Sequence, residues 1–290
     1  MSNKPWLIPT PAVAPPAPWM GGKRNLADRI IGHLAATPHQ TYAEVFMGMG
    51  GVFLRRPFRA RAEVINDLSA DVATLFRVLQ RHYVALMDML RWQLTSRAEF
   101  ERLRLAVPDS LTDLERAARF LYLQRLAFGG KSVGQNFGVS PGLGARFDVT
   151  KLGPLLEAVH ERLSGVVIER LPWSELLSRY DREGVLFYLD PPYWGGEADY
   201  GPGMFERADF ARMAEQLRGL KGCWLLSLND RPEVRALFGW AKLDVVETTY
   251  HVSGQPQRVG ELLISGGISN VSDPAADQLW LGGYGGPLLR

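Results

Sequence analysis

Short apolar runs that alternate with helical segments constrain the fold of this chain more than any other feature. The runs at residues 165–168, 184–189 and 222–228 have the length of strands that are buried on both faces. Segments with helical spacing separate them, at about 174–180 and 207–220. Because this alternation is typical of βαβ units, we predict an α/β fold with a mainly parallel sheet and helices on both faces.

Two further strands are predicted near the amino terminus and a closing pair near the carboxyl terminus. They cover residues 42–46, 62–66, 245–252 and 261–265. In an open parallel sheet, ligands bind beyond the carboxyl ends of the strands. The residues that follow each strand are therefore the candidates for a functional site.

Glycines follow the strand at 42–46, and an acid follows the strand at 62–66. The glycine segment is Gly48-Met49-Gly50-Gly51, and the acid is Asp67. Glycines let the backbone approach a ligand closely, and a carboxylate about twenty residues further on can accept hydrogen bonds from ribose hydroxyls. A nicotinamide-binding domain has the same pattern, and so does plain turn chemistry. At this point the pattern indicates a nucleoside site without identifying the nucleoside.

The strand at 184–189 is followed directly by Asp190-Pro191-Pro192-Tyr193. Proline fixes the backbone and lacks a donor, so neighbouring carbonyls remain available as acceptors. An exocyclic amino group can donate one hydrogen to Asp190 and the other to the carbonyl of Pro191, which aims its nitrogen lone pair at an electrophile. Tyr193 offers a flat face for a base removed from a duplex. This tetrapeptide favours an amino-methylation loop over a simple proline turn.

Composition along the chain predicts four regions. They are a proline-rich flexible tail (1–18), a domain that carries the strand motifs (19–92 and 165–270), an inserted, mostly helical segment (93–164) and a flexible carboxyl-terminal tail (271–290). Within the insert, Thr112 and Glu115 have the spacing of a capping box that starts a helix through Leu126. A polar, glycine-rich loop follows at 129–146, and a loop of this length is often functional.

Charge permits a nucleic-acid partner without requiring one, because the net charge is +2 and the pI is about 8.7. Basic residues cluster in two places, each of which fits either a DNA-binding face or a solvated surface. One group comprises Arg55, Arg56, Arg59 and Arg61, and the other comprises Arg119, Arg125, Lys131, Arg146 and Lys151.

The cysteines and histidines of the chain bear on whether a disulfide, a covalent cysteine intermediate or a metal site is expected. The single cysteine, Cys223, precedes apolar strand residues and is interpreted as packing, so neither a disulfide nor a covalent cysteine route is expected. The five histidines show no metal-ligand spacing, so we expect no metal. No apolar run approaches the roughly 20 residues of a membrane helix and no secretory signal is apparent, so we expect a soluble, cytoplasmic protein.

These motifs, taken in order, resemble those of the Dam-like N6-adenine DNA methyltransferases, over about residues 18–266. The similar segments are Pro18 to Lys23 (amino-terminal cofactor motif), Glu44 to Gly51 (glycine motif), Ile65 to Asp67 (ribose-binding acid), Phe120 to Phe137 (the segment before the DNA-recognition loop), Asp190 to Tyr193 (catalytic loop) and Glu261 to Ile264 (last strand).

The resemblance implies a Rossmann-like methyltransferase fold and transfer of a methyl group from S-adenosylmethionine to N6 of adenine in double-stranded DNA. It further implies base flipping and direct in-line transfer by a monomer, or by a dimer on DNA. On this resemblance, residues 19–92 and 165–270 form the catalytic domain and residues 93–164 the target-recognition insert. Implied cofactor contacts are Trp19, Lys23, Phe46, Gly48, Gly50, Asp67 and Asp190. Asp190, Pro191, Pro192 and Tyr193 are the implied catalytic residues. We expect DNA contacts at Arg119, Arg125, Lys131, Asn136 and Arg146.

The segment at 194–201 departs from the family pattern, because it is glycine-rich and acidic. This departure leaves the DNA recognition sequence open. Three alternatives also remain: an amino methyltransferase for cytosine N4, RNA or protein glutamine; a nicotinamide-dependent oxidoreductase; and a catalytically silent DNA-binding homologue. The amino-terminal motif at 18–23 favours adenine in DNA.

Overall fold

The computed structural model describes residues 4–138, 146–252 and 255–267, with the backbone alone at 247–252 and 255–259. The strands are β1 (Ile8–Pro9), β2 (Thr41–Glu44), β3 (Phe58–Arg59), β4 (Ala62–Asn66), β5 (Val167–Glu169), β6 (Val185–Leu189), β7 (Cys223–Asn229), β8 (Lys242–Val252) and β9 (Gln255–Gly266). The helices are α1 (Ala27–Ala36), α2 (Ala70–Arg81), α3 (Tyr83–Leu90), α4 (Arg97–Leu105), α5 (Asp113–Leu126), α6 (Val149–Arg162), α7 (Trp173–Tyr180), α8 (Arg207–Arg218) and α9 (Pro232–Phe238). The predicted tail at 271–290 lies outside the described residues, as does part of the loop at 129–146.

Seven strands form the central sheet, in the order β5-β4-β2-β6-β7-β9-β8. The first five are parallel, whereas β9 runs antiparallel to both β7 and β8. The chain winds outward from β2 through β4 to β5, and then returns to β6 on the other side of β2. The order therefore reverses between β2 and β6, which is where such sheets bind ligands. This topology confirms the predicted Rossmann-like methyltransferase fold.

Strand β6 shows why the sheet needs helices on both faces. All five of its residues are buried. Leu186 and Tyr188 point into one hydrophobic core, whereas Val185, Phe187 and Leu189 point into the other. Because neighbouring residues of a strand face opposite sides, a strand that is apolar throughout is stable only between two layers.

The insert is helical, as predicted, and its helices pack on the catalytic domain. Thr112 Oγ1 accepts a hydrogen bond from the Glu115 backbone N–H at 3.4 Å, and the Glu115 carboxylate accepts one from the Thr112 N–H at 2.9 Å. This capping box starts α5 at the predicted position. Leu121 of α5 and Leu156 of α6 belong to the same core as Leu75 of α2. The insert therefore shares its core with the sheet layer.

Arg56 lies in a buried ion-pair cluster and not on a basic surface. Its Nη2 is 2.5 Å from Glu63 Oε1, and Arg162 Nη1 is 2.6 Å from Glu63 Oε2. The Arg56 guanidinium also lies 3.6 Å from the centre of the Tyr42 ring. The cluster joins the segment before β3, strand β4 and helix α6. Arg56 is therefore removed from the basic group that we considered as a DNA-binding face.

Residues 4–18 do not form the flexible tail that we expected. Ile8 pairs with Arg59, and the Val13 N–H donates to the Leu54 carbonyl at 2.8 Å. The side chain of Val13 is buried, and Arg125 Nη1 donates to the Pro16 carbonyl at 2.9 Å. Proline removes backbone donors but keeps acceptors and apolar surface, and donors from distant parts of the chain satisfy those acceptors.

Candidate active site

A cavity of about 780 Å³ lies at the carboxyl ends of β2, β4 and β6, where the strand order reverses. It brings together residues that the sequence separates by more than a hundred positions. The predicted cofactor residues that line it are Trp19, Lys23, Phe46, Gly48, Asp67 and Asp190. Parallel strands that end at one edge of the sheet account for this convergence.

Asp67 holds the glycine loop in place at one end of the cavity. Its Oδ2 accepts a hydrogen bond from the Gly48 N–H at 2.8 Å, and its Oδ1 accepts one from the Ser69 N–H at 2.9 Å. Burial raises the pKa of this carboxyl to about 6, although both backbone hydrogen bonds lower it. Each oxygen keeps a lone pair for a further donor, so Asp67 can still accept ribose hydroxyls.

The glycine motif presents a bare backbone surface to Trp19. A Cβ on Gly48, where φ is +49°, would come within 2.6 Å of the Trp19 indole nitrogen. Gly50 does not line the cavity: a Cβ there would meet Met47 and Leu54, at 2.7 and 3.0 Å. Gly50 therefore serves close packing, and Gly51 takes its place in the cavity wall.

Asp190 follows β6 and has two partners on one oxygen. Its Oδ1 lies 2.7 Å from Lys23 Nζ and accepts a hydrogen bond from Ser227 Oγ at 2.8 Å. Ser227 in turn lies 3.0 Å from the Tyr188 hydroxyl. Burial raises the pKa of Asp190, and the charge of Lys23 is the largest opposing effect. Within the described residues, the other oxygen, Oδ2, accepts no hydrogen bond.

Lys23 contacts the catalytic loop directly. Besides its ion pair with Asp190, its Nζ donates to the Tyr193 hydroxyl at 2.7 Å and lies 4.4 Å from the centre of the Tyr193 ring. We expected Lys23 as a cofactor contact. It does line the cavity, but its charge is directed at the catalytic carboxylate.

Asn229 fixes the end of the catalytic loop. Its Oδ1 accepts the Trp194 N–H at 2.9 Å, and its Nδ2 donates to the Trp194 carbonyl at 3.0 Å. Pro191 and Pro192 are buried, and no hydrogen bond to the Pro191 carbonyl occurs in the described part of the chain. That carbonyl is therefore available as an acceptor, as the sequence predicts. The roles of Ser227 and Asn229 were missed by sequence reasoning.

Glu44 is a second buried acid, at the end of β2 beside Asp190. The side chain is 2% exposed, and its Oε2 accepts a hydrogen bond from the Tyr42 hydroxyl at 2.6 Å. Burial raises the pKa of Glu44 to about 7; Tyr42 and Arg56 oppose this shift, and the charge of Asp190 adds to it. Glu44 also lines the cavity. No role was predicted for Glu44 from the sequence.

The acidic segment at 194–201 folds back over the amino-terminal motif. The Tyr200 ring lies 5.9 Å from the Trp19 ring, with 31° between the ring planes. The Tyr200 hydroxyl donates to the Met20 carbonyl at 3.1 Å. On the other side, Ser132 Oγ donates to the Asp199 carbonyl at 3.4 Å. This segment thus connects the cofactor motif with the recognition insert.

Two of the predicted DNA contacts use protein acceptors. Arg119 Nε donates to the Leu103 carbonyl at 2.7 Å. Arg125 donates to the carbonyls of Pro16 and Arg146, at 2.9 Å and 3.1–3.2 Å. Both arginines therefore support the insert and the amino-terminal segment from within.

The remaining predicted DNA contacts, Lys131, Asn136 and Arg146, are on or near the surface. Lys131 and Asn136 are exposed, and Arg146 is half-buried at the cavity. The neighbouring Phe128 has a side chain that is 63% exposed. An aromatic ring open to solvent beside a cationic segment is a feature to which we had assigned no role.

No group of three or more metal-ligating side chains occurs in the part of the chain that the structure describes. None of the helices in that part has the length and apolar character of a membrane span.

The fold and the site together define the class of protein. The sheet has this strand order, a carboxylate follows β4, and an acceptor-rich Asp-Pro-Pro-Tyr loop follows β6. Together these features are those of an amino-group methyltransferase of the Rossmann-like type. Residues 19–252 match the model of the D12 class N6 adenine-specific DNA methyltransferases, and the chain belongs to that family. Membership confirms the predicted S-adenosylmethionine-dependent methylation of adenine in DNA and does not favour the alternatives.

Two curated relatives align along most of their length. The type II methyltransferase M.CviBI of Paramecium bursaria Chlorella virus NC1A is 22% identical, over 84% of this chain and 93% of its own. The type II methyltransferase M1.LlaDCHI of Lactococcus lactis subsp. cremoris is 24% identical, over 85% and 93%. Among solved structures, precorrin 8W decarboxylase of Methanobacterium thermoautotrophicum covers 84% of this chain and 90% of its own, with 11% identity and a TM-score of 0.35. The fold assignment rests on the strand order and not on that distant match.

Proposed function

We propose that this chain is a site-specific methyltransferase that flips an adenine out of duplex DNA and methylates its amino group directly, with Asp190, Pro191, Pro192 and Tyr193 as the catalytic loop. The free Oδ2 of Asp190 is the observation that carries this proposal. Lys23 and Ser227 both contact Oδ1, so the second oxygen is left as an acceptor facing the cavity.

The catalytic loop provides two acceptors for the two hydrogens of an exocyclic amino group. Asp190 Oδ2 takes one, and the carbonyl of Pro191 takes the other. Two such bonds orient the nitrogen lone pair and localise it on the nitrogen. Lys23 opposes the rise that burial causes in the pKa of Asp190, because an adjacent cation favours the charged form. Asp190 accepts a proton from the nitrogen once that nitrogen has gained the methyl group.

Residues at the other end of the cavity fit a nucleoside-bearing methyl donor. S-Adenosylmethionine, when bound, supplies an electrophilic methyl group. Asp67 is desolvated and keeps free lone pairs, so hydroxyl donors from a ribose would stabilise its charged form. The bare backbone at Gly48 and the Trp19 indole form a surface on which a flat base can lie.

The insert and its rim are proposed to bind the DNA. Lys131 and Asn136 are exposed beside the cavity, where they can contact phosphate or base edges. Phe128 projects next to them and can occupy the gap that a flipped base leaves in the stack. Two relatives are type II methyltransferases, which supports a site-specific enzyme, and we propose that one chain suffices for one target base.

The decisive test is expression in a host that lacks adenine methylation, followed by DNA sequencing that detects modified bases. We expect N6-methyladenine at a defined sequence with the natural chain and none with Asp190→Ala. The matched control is Asp230→Asn, since Asp230 follows β7 as Asp190 follows β6 but pairs with Arg235 near the surface. The control is expected to methylate normally.

A cooperative thermal transition, measured by circular dichroism, shows whether the Asp190→Ala chain is folded. Methyl transfer by that folded variant would contradict the role of Asp190. Modification of cytosine by the natural chain would contradict the proposed substrate.

A further inference from the structure

Two buried glutamines lie between the amino-terminal cofactor motif and the turn at 127–137, whose ends pair in an antiparallel bridge. Gln124 belongs to α5 and is 0% exposed, and Gln135 belongs to the turn and is 8% exposed. Gln135 Nε2 donates to Gln124 Oε1 at 3.0 Å, so the two amides are hydrogen-bonded to each other. The mechanism above uses neither side chain.

Gln124 holds both segments at once. Its Nε2 donates to the Pro18 carbonyl at 2.8 Å and to the Gly130 carbonyl at 2.7 Å. Gln135 adds a second hold on the turn, since its Nε2 also donates to the Lys131 carbonyl at 3.0 Å. Removing a buried amide would leave these carbonyls without a donor, which is costly. The glutamines therefore fix the turn against the cofactor motif.

The backbones of the two segments are also in direct contact. The Met20 N–H donates to the same Gly130 carbonyl, at 2.9 Å. Gly130 has a φ of +68°, and a Cβ there would lie 3.0 Å from the backbone nitrogen of Trp19 and 3.1 Å from the carbonyl carbon of Pro18. A glycine permits both this conformation and this approach.

The segment at 194–201 completes a ring of three segments. The Tyr200 hydroxyl donates to the Met20 carbonyl at 3.1 Å, and Ser132 Oγ donates to the Asp199 carbonyl at 3.4 Å. Each of the three segments is thus hydrogen-bonded to the other two. Ser132 and Tyr200 also line the cavity, so the ring forms part of its wall.

We propose that the two glutamines are positioning residues that make the binding of cofactor and of DNA cooperative. This inference rests on the proposed function. A nucleoside bound against Trp19 orders the cofactor motif, and the glutamines extend that order to the turn at 127–137. The turn carries Lys131 and Asn136, the proposed DNA contacts. When two ligands require the same segments to be ordered, the first bears the entropy cost and the second binds more tightly.

The test measures the affinity for DNA with and without S-adenosylhomocysteine, which has no methyl group to transfer. The probe is a fluorescent duplex with the target sequence found by the sequencing experiment, in which an abasic nucleotide replaces the target adenine. Without that base, the nucleoside and the target base cannot touch, so any coupling must pass through the protein.

Saturating S-adenosylhomocysteine is expected to increase the affinity of the natural chain for this duplex by at least about fivefold, the lower end for coupled sites. Calorimetry of S-adenosylhomocysteine binding with the duplex at saturation should give the same factor, because coupling is reciprocal.

Gln124→Leu is the test variant, and Gln80→Leu is the matched control. Gln80 Nε2 donates to the Leu163 and Val166 carbonyls at 2.8 and 2.7 Å, so it bridges two carbonyls as Gln124 does, but outside the cavity lining. The coupling factor should fall below about twofold in Gln124→Leu and stay at the natural value in Gln80→Leu. Gln135→Met removes one hold on the turn and should also lower the factor; it decides the matter if Gln124→Leu does not fold.

A natural coupling factor in folded Gln124→Leu or Gln135→Met would overturn the proposal. Parallel loss of both affinities with an unchanged factor would assign the glutamines to general support of the fold and overturn it as well. Independent binding of the two ligands by the natural chain would overturn the coupling and leave the proposed function standing. If the natural chain binds neither ligand, the proposed function fails, and the coupling fails with it.

Discussion

Glu44 gives the chain a specific dependence of stability on pH, which the variant Glu44→Gln isolates. The folded environment raises the pKa of this carboxyl from an ordinary 4.5 to about 7, chiefly through burial. A glutamine keeps the size of the side chain, and its amide oxygen can still accept the hydrogen bond from the Tyr42 hydroxyl. The variant therefore removes the titration while keeping the packing.

The direction in which the free energy of unfolding changes with pH depends on whether the folded or the unfolded state binds the proton more tightly. Because the folded state has the higher pKa, it takes up a proton between pH 4.5 and 7, and the carboxyl favours folding most at low pH. That contribution is fully present below pH 4.5 and is lost as the pH rises through 7. A pKa difference of about 2.5 corresponds to a change of about 3 kcal/mol in the free energy of unfolding.

The assay is urea denaturation of both chains at pH 5, 6, 7 and 8. The free energy of unfolding of the natural chain, minus that of Glu44→Gln, should fall by about 2.5 kcal/mol across this range. Subtraction cancels the titration of Asp67 and other groups that both chains share. Glu233→Gln, at an exposed position in α9, should show no such trend. A difference that is flat with pH would refute the conclusion that burial keeps Glu44 protonated near neutrality.

Two further predictions separate the structural from the DNA-binding residues of the insert. Arg125→Ala should expose residues 4–18 to proteolysis, lower the free energy of unfolding by about 1–3 kcal/mol and reduce the affinities for S-adenosylhomocysteine and for DNA together. Lys131→Ala should reduce the affinity for DNA alone and make that binding less dependent on salt. A loss of DNA affinity alone in Arg125→Ala would instead assign Arg125 to a phosphate contact. Phe128→Ala should slow single-turnover methylation by about tenfold or more, the effect of losing an inserted apolar side chain, with an unchanged melting temperature because the ring is 63% exposed. An unaltered rate would exclude a role for this ring in extracting the base.

The parts of the fold that the sequence predicted are those with local causes. The limits of β6 follow from an apolar run that ends in an acid and two prolines, and α5 begins at its capping box. The ends of β4 were also predicted, whereas the closing strands predicted at 245–252 and 261–265 lie within β8 and β9, which are longer. In each case the residues that decide the structure lie within a few positions of one another.

The partners of Asp190 could not be found in this way, because the sheet register brings them together. Leu189 pairs with Leu226, which places Ser227 beside Asp190 at the next position. A serine in an apolar strand has no local signature of this role. Asn229 is equally ordinary in the sequence, and it contacts Trp194 because β7 continues past the end of β6, alongside the catalytic loop.

The prediction of a flexible amino-terminal tail was wrong for residues 4–18, because it rested on composition alone. Six prolines in the first eighteen residues indicated a flexible tail. Proline-rich chain is extended and has free carbonyls, so it remains disordered only when no donors approach it. Here Arg125 and Gln124 of α5 donate to the carbonyls of Pro16 and Pro18. Those donors lie more than a hundred residues away, where no local pattern could reveal them.

The segment at 194–201, which departs from the family pattern, has a physical explanation in its contacts. Tyr200 packs on Trp19 of the cofactor motif, while Asp199 accepts a hydrogen bond from Ser132 of the insert. The segment also begins at Asp190's own loop, which Asn229 holds in place. Glycines with positive φ at 195 and 201 let the chain turn back sharply enough to make both contacts. The glycines that depart from the family pattern are thus the local means by which one short segment joins the two halves of the site.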